Sequence, residues 1–203
     1  MAFSGGEACH NPMPDMPPAS LPPDLPVPLD DGACDHLTGA RLPHVALRST
    51  AGGSVNLAEA RGTLVVFVYP HTGRPDTPTP KEWDLIPGAR GCTPEACAYR
   101  DLHADLRGLG AKVYGVSIDP PEWQREAVER LHLPFELLSD QNRSWSRPLR
   151  LPTFAFQNQI FLKRLTLVLE GNRVSKVFYP VFPPDRNPAD VIKFLGSDLR
   201  TIR

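Results

Sequence analysis

Two cysteines, Cys92 and Cys97, stand within residues 90–101, which read RGCTPEACAYRD. The preceding run of apolar, β-branched and aromatic residues at 63–69 predicts a buried strand, and the Pro-Glu pair two residues after Cys92 is typical of a helix start. Cys92 is therefore expected just before a helix, where unpaired amide groups and the positive end of the helix dipole favour a thiolate. Because cysteine pKa values fall from about 8.5 to roughly 3.5–7.5 in such positions, we expect Cys92 to be a nucleophile.

Residues 91–101, GCTPEACAYRD, resemble the active-site segment of the peroxiredoxins, most closely those of the peroxiredoxin Q or bacterioferritin-comigratory-protein type. The resemblance continues beyond this motif and covers approximately residues 40–195. It implies a thioredoxin-like fold and a thiol-dependent peroxidase. The other segments that follow the family's order are 64–70, 113–119 (VYGVSID), 133–140 (LPFELLSD) and 163–169 (KRLTLVL).

By this resemblance Cys92 is the peroxidatic cysteine, Cys97 is the resolving cysteine and Arg164 is the active-site arginine. The implied reaction reduces hydrogen peroxide or an organic hydroperoxide and leaves a sulfenic acid on Cys92. An intramolecular disulfide between Cys92 and Cys97 then forms, and thioredoxin or a similar dithiol reduces it. The residues alone leave alternatives open: a buried structural thiol at Cys92, a packing residue at Cys97 and a surface arginine at Arg164.

One departure from the family pattern concerns the loop before Cys92. The family has a proline and a threonine or serine seven and three residues before the peroxidatic cysteine, whereas this chain has Leu85 and Ala89. Since Pro70 resembles the family's proline, residues 71–90 are expected to be an insertion in the active-site loop, either a surface insertion or one that controls substrate access. The residues expected to supply a hydroxyl, a charge or a cover for the pocket are Thr72, Thr77, Thr79, Arg90 and Trp83.

Four other readings of these residues are weaker. Cys92, Cys97 and His103 could ligate zinc, but the spacing and the lack of a fourth ligand disfavour a metal site, and no cofactor is predicted. His71 could act as a base near the pocket, although a lone histidine in a loop rich in proline and threonine is typically solvated. The alternative function is a low-turnover redox sensor or interaction module, which Ala89 and the insertion make credible. A disulfide reductase is disfavoured, because the sequence has no Cys-x-x-Cys motif.

The composition is that of a single soluble domain. The chain has 203 residues, 41% of them hydrophobic, and its 22 basic and 23 acidic residues give a net charge of −1. We therefore expect no nucleic-acid or membrane partner, a monomer or homodimer, and a cytoplasmic location, because the first thirty residues lack a basic start and an apolar stretch. Four cysteines suit a reducing compartment, and Cys9 and Cys34 are assigned no role.

The chain is predicted to consist of a tail and one domain. Residues 1–38 are expected to be an extended, disordered tail, since eight of the 24 prolines lie between Pro12 and Pro28. Residues 39–203 are expected to form an α/β domain with a thioredoxin-like fold, in which helices cover both faces of a mixed central sheet. Helices are predicted at 94–109, 122–131, 145–149 and 188–199, and strands at 64–69, 113–118, 135–138, 165–169 and 174–179, beside a hairpin that turns at Gly52 and Gly53.

Overall fold

A computed structural model describes residues 21–201 of the protein. The strands are β1 (Ala46–Ser49), β2 (Ser54–Asn56), β3 (Thr63–Val68), β4 (Ala111–Ser117), β5 (Glu136–Ser139), β6 (Thr153–Phe156), β7 (Gln159–Leu162), β8 (Leu165–Glu170) and β9 (Arg173–Phe178). The α-helices are α1 (Cys92–Asp101), α2 (His103–Gly108), α3 (Pro121–Leu131) and α4 (Asn187–Thr201).

A mixed seven-stranded sheet forms the centre of the domain, in the order β2-β1-β5-β4-β3-β8-β9. The pairs β3–β4 and β4–β5 are parallel and the other pairs are antiparallel. The apolar runs of β3, β4 and β8 are buried, as central strands covered on both faces require. The predicted α/β fold with a mixed sheet is confirmed.

The two faces of the sheet are covered differently. The crossovers from β3 to β4 and from β4 to β5 run in one direction across the sheet. Because crossovers between parallel strands are almost always right-handed, the intervening helices are expected on the same face. Buried side chains of all four α-helices within residues 21–201 share one cluster with Val65 and Phe67 of β3. The opposite face is covered by short 3₁₀ turns, which contribute Leu37 and Leu57, and by a segment of turns that contributes Trp145.

Three elements differ from the sequence prediction. The helix predicted at 94–109 divides at Leu102, whose φ of −98° and ψ of 10° leave helical geometry. Residues 145–149 form turns and not a helix. The hairpin of β6 and β7 was not predicted, because its turn uses Gln157 and Asn158 at positive φ in place of the Asn-Gly pair that usually signals such a turn.

The described part of the predicted tail packs against the domain. Cys34 and Leu37 are buried in the cluster on the turn-covered face, and Asp31 accepts hydrogen bonds from Lys163 Nζ at 2.7 Å and the Tyr179 hydroxyl at 2.8 Å. Packing therefore begins before residue 39, while residues 1–20, with Cys9 and the first prolines, lie outside the described residues. Among the described residues, no helix combines the length and apolar character needed to span a bilayer.

Candidate active site

Cys92 is the first residue of α1, at the end of the sheet where β3 finishes. Gly91 precedes it as the N-cap residue with φ of 107°, a conformation that side chains strongly disfavour. A Cβ atom on Gly91 would also lie only 2.5 Å from Cγ of Pro184. Glycine is therefore required at this position both by the backbone and by the close approach of the neighbouring segment.

Arg164 is brought to Cys92 by strand pairing. It immediately precedes β8, whose first residue, Leu165, pairs with Val68 at the end of β3. The Arg164 side chain is buried, and its Nη2 lies 3.1 Å from Cys92 Sγ. The arginine is thus not a surface residue, and the predicted pair of Cys92 and Arg164 is in direct contact.

Backbone carbonyl groups of the predicted insertion hold Arg164 in place. Its Nε donates to the Gly88 oxygen at 3.3 Å, and its Nη2 donates to the Ala89 and Arg90 oxygens at 3.2 and 3.3 Å. These three acceptors fix the plane of the guanidinium group beside the sulfur. The insertion therefore builds part of the site, which supports a role beyond that of a surface loop.

Glu95 is a site residue that the sequence reading treated only as part of a helix start. It is fully buried and forms an ion pair with Arg164 Nη1, while its Oε1 has no hydrogen-bond partner among the described residues. Burial raises the pKa of Glu95 to about 7, against the opposing effect of Arg164. A carboxylate three residues after Cys92, on the same side of a helix, was the available signal.

The pKa of Cys92 is raised, which differs from the expected lowering. Burial is the main cause, and the Glu95 carboxylate adds to it; the Arg164 charge and a hydrogen bond from the backbone N–H of His71 act in the opposite direction. A helix start favours the thiolate, but burial of Cys92 and the sharing of Arg164 with Glu95 oppose that effect. Consistent with a protonated thiol, Cys92 Sγ lies 3.7 Å from the Ala89 oxygen in donor geometry.

Cys97 is half-buried in the middle of α1, and burial raises the pKa of its thiol while the charge of Arg100 opposes this. Cys34, Cys92 and Cys97 are all free thiols. Along a regular helix, positions five residues apart are about 7.5 Å apart along the axis and roughly 140° apart around it. The structure thus places Cys97 in the same helix as Cys92 and leaves it outside the contact between Cys92 and Arg164.

The insertion is anchored by Trp83. This side chain is buried, and its ring packs against Phe154, Phe156 and Phe161 of the β6–β7 hairpin, with ring centroids 5.0–5.5 Å apart. Leu85 is exposed and Ala89 is fully buried, and Ala89 has no hydroxyl to match the threonine or serine of the family pattern.

The threonines proposed to supply a hydroxyl have separate surroundings. Thr72 is buried, with its hydroxyl 3.1 Å from that of Tyr69, and it lines a small cavity together with Cys92. Thr77 is exposed and its hydroxyl donates to Asp76, while Thr79 is an exposed residue that lines the cleft beside Cys92. Of the three, Thr72 is the one buried beside Cys92.

An open cleft of about 810 Å³ leads from the surface to Cys92. Three cationic side chains line it, and each has a carboxylate partner within 4 Å. The arginines are Arg74, Arg90 and Arg130, paired with Asp76, Asp84 and Glu126 respectively. A small substrate can therefore reach the sulfur through this cleft, and Arg90 and Trp83 lie along it as the sequence suggested.

The positions of His103 and His71 bear on two of the alternative readings. His103 lies against Phe135 and a pocket away from Cys92, and no group of three or more His, Cys, Asp or Glu side chains in residues 21–201 is arranged to hold a metal ion. His71 is not a solvated loop residue, because its Nδ1 lies 2.7 Å from Asp119 Oδ1 and its ring lines the cleft.

Comparisons with known proteins agree with this architecture. The Redoxin family model matches residues 37–193. The chloroplastic peroxiredoxin Q of Sedum lineare is 30% identical over 161 residues, which cover 78% of this chain and 77% of that protein. The chloroplastic peroxiredoxin Q of Gentiana triflora is also 30% identical, and the match spans 78% of this chain and 66% of that protein.

Solved structures share the fold. Peroxidoxin BcpB of Mycobacterium tuberculosis matches with a TM-score of 0.65 and 25% identity, over 82% of this chain and 98% of that one. The bacterioferritin comigratory protein of Xanthomonas campestris matches with a TM-score of 0.61 and 20% identity, over 86% of this chain and 99% of that one. With a buried arginine against the sulfur of a cysteine at a helix start, and with these matches in sequence and fold, the chain belongs to the redoxin family and, within it, to the peroxiredoxins of the Q type.

Proposed function

We propose that this chain is a thiol-dependent peroxidase that reduces hydrogen peroxide or organic hydroperoxides. The observation that carries the proposal is the contact between the buried Arg164 guanidinium and Cys92 Sγ, 3.1 Å apart, at the inner end of an open cleft. A fixed cation beside sulfur stabilises both a thiolate and the negative charge that develops when an O–O bond breaks. The sequence match to peroxiredoxin Q supports the same chemistry here.

In the first step, the Cys92 thiolate attacks the terminal oxygen of the hydroperoxide. The S–O bond forms as the O–O bond breaks, sulfur loses two electrons, and the leaving oxygen takes a proton to become water or an alcohol. Arg164 is placed to stabilise the leaving oxygen, and the first amide groups of α1, which lack partners within the helix, are available to assist it. No cofactor takes part in this step.

In the second step, the Cys97 thiol attacks the Cys92 sulfenic acid, which forms a disulfide and releases water. In the reduced helix the two Cα atoms are about 7.5 Å apart along the axis, whereas a disulfide needs about 4.4–6.8 Å with converging Cβ vectors. The first turns of α1 must therefore unwind, and Pro94 eases this because it has no backbone N–H to lose. Thioredoxin or a similar dithiol then reduces the disulfide by exchange.

One observation favours a second candidate, a low-turnover redox sensor. Ala89 is fully buried beside the site and stands where the family pattern has a threonine or serine, so the hydroxyl of that pattern is missing at this position. The two candidates differ in turnover and not in the first oxidation. Steady-state NADPH oxidation, coupled through thioredoxin and thioredoxin reductase, separates them.

The experiment compares the wild-type protein with Cys92→Ser, with Cys9→Ser as the matched control. Continuous NADPH consumption in the wild type and the control, but not in Cys92→Ser, supports the peroxidase. Consumption of one equivalent of peroxide without further turnover indicates the sensor. Peroxide consumption by Cys92→Ser at the wild-type rate would overturn both.

We also propose a reducing compartment such as the cytoplasm, and a monomer or homodimer without nucleic-acid or membrane partners. Three free thiols among the described residues and a net charge of −1 support these assignments. Light scattering of the purified chain tests the oligomeric state, and fractionation of the source cells tests the location.

A further inference from the structure

His71 is held next to Cys92 by its backbone, and its ring is held by Asp119. It lies three residues after Val68, the last residue of β3, and its backbone N–H donates a hydrogen bond to the Cys92 sulfur. Its ring Nδ1 lies 2.7 Å from Asp119 Oδ1. Asp119 follows β4, the parallel neighbour of β3, so the ends of two adjacent strands bring the pair together.

The Asp119 carboxylate has a fixed orientation. It is buried, and its Oδ2 accepts hydrogen bonds from the Thr72 N–H at 2.7 Å and the Ser117 hydroxyl at 2.8 Å. A carboxylate held in this way accepts the Nδ1–H of His71 and sets the tautomer of the ring. Nε2 of His71 is therefore the ring nitrogen that remains available for proton exchange.

Aromatic side chains restrict the His71 ring to one position. The rings of Trp83, Trp123 and Phe161 meet it edge to face, with centroids 6.0, 5.7 and 5.8 Å away. The side chain keeps 31% of its surface exposed, and it lines the same cleft as Cys92. The ring is thus enclosed by apolar groups and open toward the space where a peroxide approaches.

The reaction needs a group that first accepts and then donates a proton. Burial raises the pKa of Cys92, so the thiol must lose a proton before it attacks, and the leaving oxygen must gain one. The cleft's arginines cannot release a proton under these conditions. Glu95 is buried beneath Arg164 and does not line the cleft. Apart from Cys92 itself, His71 is the lining residue among those described that can do both.

We propose that His71 carries the proton of the Cys92 thiol to the leaving oxygen of the hydroperoxide, an inference that rests on the proposed peroxidase function. Nε2 accepts the thiol proton and leaves an imidazolium beside a thiolate. The thiolate attacks the terminal oxygen, the S–O bond forms, the O–O bond breaks, and Nε2–H protonates the departing alkoxide or hydroxide. In sum, the Cys92 thiol and the hydroperoxide are converted to the Cys92 sulfenic acid and an alcohol or water, and His71 returns to its neutral form.

The test compares two oxidants of similar shape whose leaving groups differ in their need for a proton. Cumene hydroperoxide releases an alkoxide, whereas perbenzoic acid releases a carboxylate that is stable without protonation. The variant His71→Asn keeps an amide N–H that can donate to Asp119 but cannot carry the proton. The second-order rate of Cys92 oxidation is measured by rapid quench and mass spectrometry in a Cys97→Ser background.

We expect His71→Asn to lower the rate with cumene hydroperoxide about 100-fold, in the range of general acid–base catalysis. The loss with perbenzoic acid is expected to be about tenfold or smaller. His44→Gln, at an exposed histidine that does not line the cleft, is the matched control and is expected to leave both rates unchanged. Equal losses with the two oxidants, or no loss, would overturn the proposal. If the wild type forms no Cys92 sulfenic acid with either oxidant, the proposed function fails instead.

A second measurement covers the case in which His71→Asn disturbs the loop. In His71→Gly, added imidazole has room to enter the space of the missing ring and is expected to restore the cumene hydroperoxide rate in proportion to its concentration. A purely structural role for His71 predicts no such rescue, and its absence in a folded His71→Gly protein would count against the proton transfer.

Discussion

Replacing Arg164 by methionine is expected to raise the pKa of Cys92, because the guanidinium that stabilises the thiolate is lost. Nη2 and Sγ are 3.1 Å apart, and at an effective dielectric constant of about 20 a charge pair at that distance is worth about 5 kcal/mol. This figure is the gross loss. The net loss is smaller, because Glu95 responds to the same substitution.

Glu95 acts on Cys92 in the opposite direction. Its carboxylate lies about 6 Å from the thiolate by helix spacing and repels it by about 3 kcal/mol at the same dielectric constant. Because burial has already raised the pKa of Glu95 to about 7, the loss of Arg164 leaves Glu95 protonated at neutral pH, and the repulsion disappears. The net cost to the thiolate is therefore about 2 kcal/mol, or roughly a 30-fold smaller thiolate fraction.

The rate of alkylation of Cys92 by iodoacetamide against pH, followed by mass spectrometry of the Cys92 peptide, measures this effect. Glu95→Gln alone is expected to lower the pKa of Cys92, and adding it to Arg164→Met is expected to change nothing further. Arg107→Met, at an exposed position of α2, is the control for the loss of a positive charge. A pKa of Cys92 that stays constant or falls in Arg164→Met, or a clear effect of Glu95→Gln in that background, would refute the reasoning.

Cys92→Ser is expected to abolish single-turnover peroxide reduction, whereas Cys34→Ser is expected to retain it. The peroxide that remains after mixing measures both. Peroxide reduction by Cys92→Ser would show that Cys92 is not the nucleophile. Gly91→Ala is expected to lower the free energy of unfolding by about 2 kcal/mol, because Gly91 has a positive φ and Pro184 lies close to it. Denaturant unfolding measures this loss. Gly108→Ala, whose added Cβ meets no atom within 4 Å, is the control and is expected to show no loss. After oxidation, amide exchange at residues 93–99 is expected to accelerate, whereas equal exchange in both redox states would argue against unwinding of α1.

Local pattern was enough to predict the framework around Cys92. The buried run of β3 and the Pro-Glu helix start place the cysteine at the junction of a strand and a helix, and the structure has that junction. The approach of Arg164 could not be derived from spacing, since β8 returns beside β3 after about a hundred residues, and only the family resemblance identified it. The pKa of Cys92 was predicted in the wrong direction because burial is a property of the whole fold.

The pair of His71 and Asp119 was within reach of sequence reasoning but was not found. His71 follows β3 and Asp119 follows β4, and the carboxyl ends of adjacent parallel strands meet at one edge of a sheet. The β6–β7 hairpin that carries the aromatic support for Trp83 was missed because its turn has no glycine. The surroundings of the insertion were therefore hidden until the fold was known.

The three carbonyl groups that hold Arg164 belong to the main chain, so this clamp places few demands on side-chain identity. Gly88 needs its positive φ, and the fully buried Ala89 needs a small side chain, while the side chain of Arg90 takes no part in holding Arg164. The chain between Gly73 and Gly88 is thus separated from the clamp itself. Loops of other lengths and sequences that keep Trp83 packed against the β6–β7 hairpin are expected to reshape the entrance of the cleft and to leave Arg164 beside the sulfur.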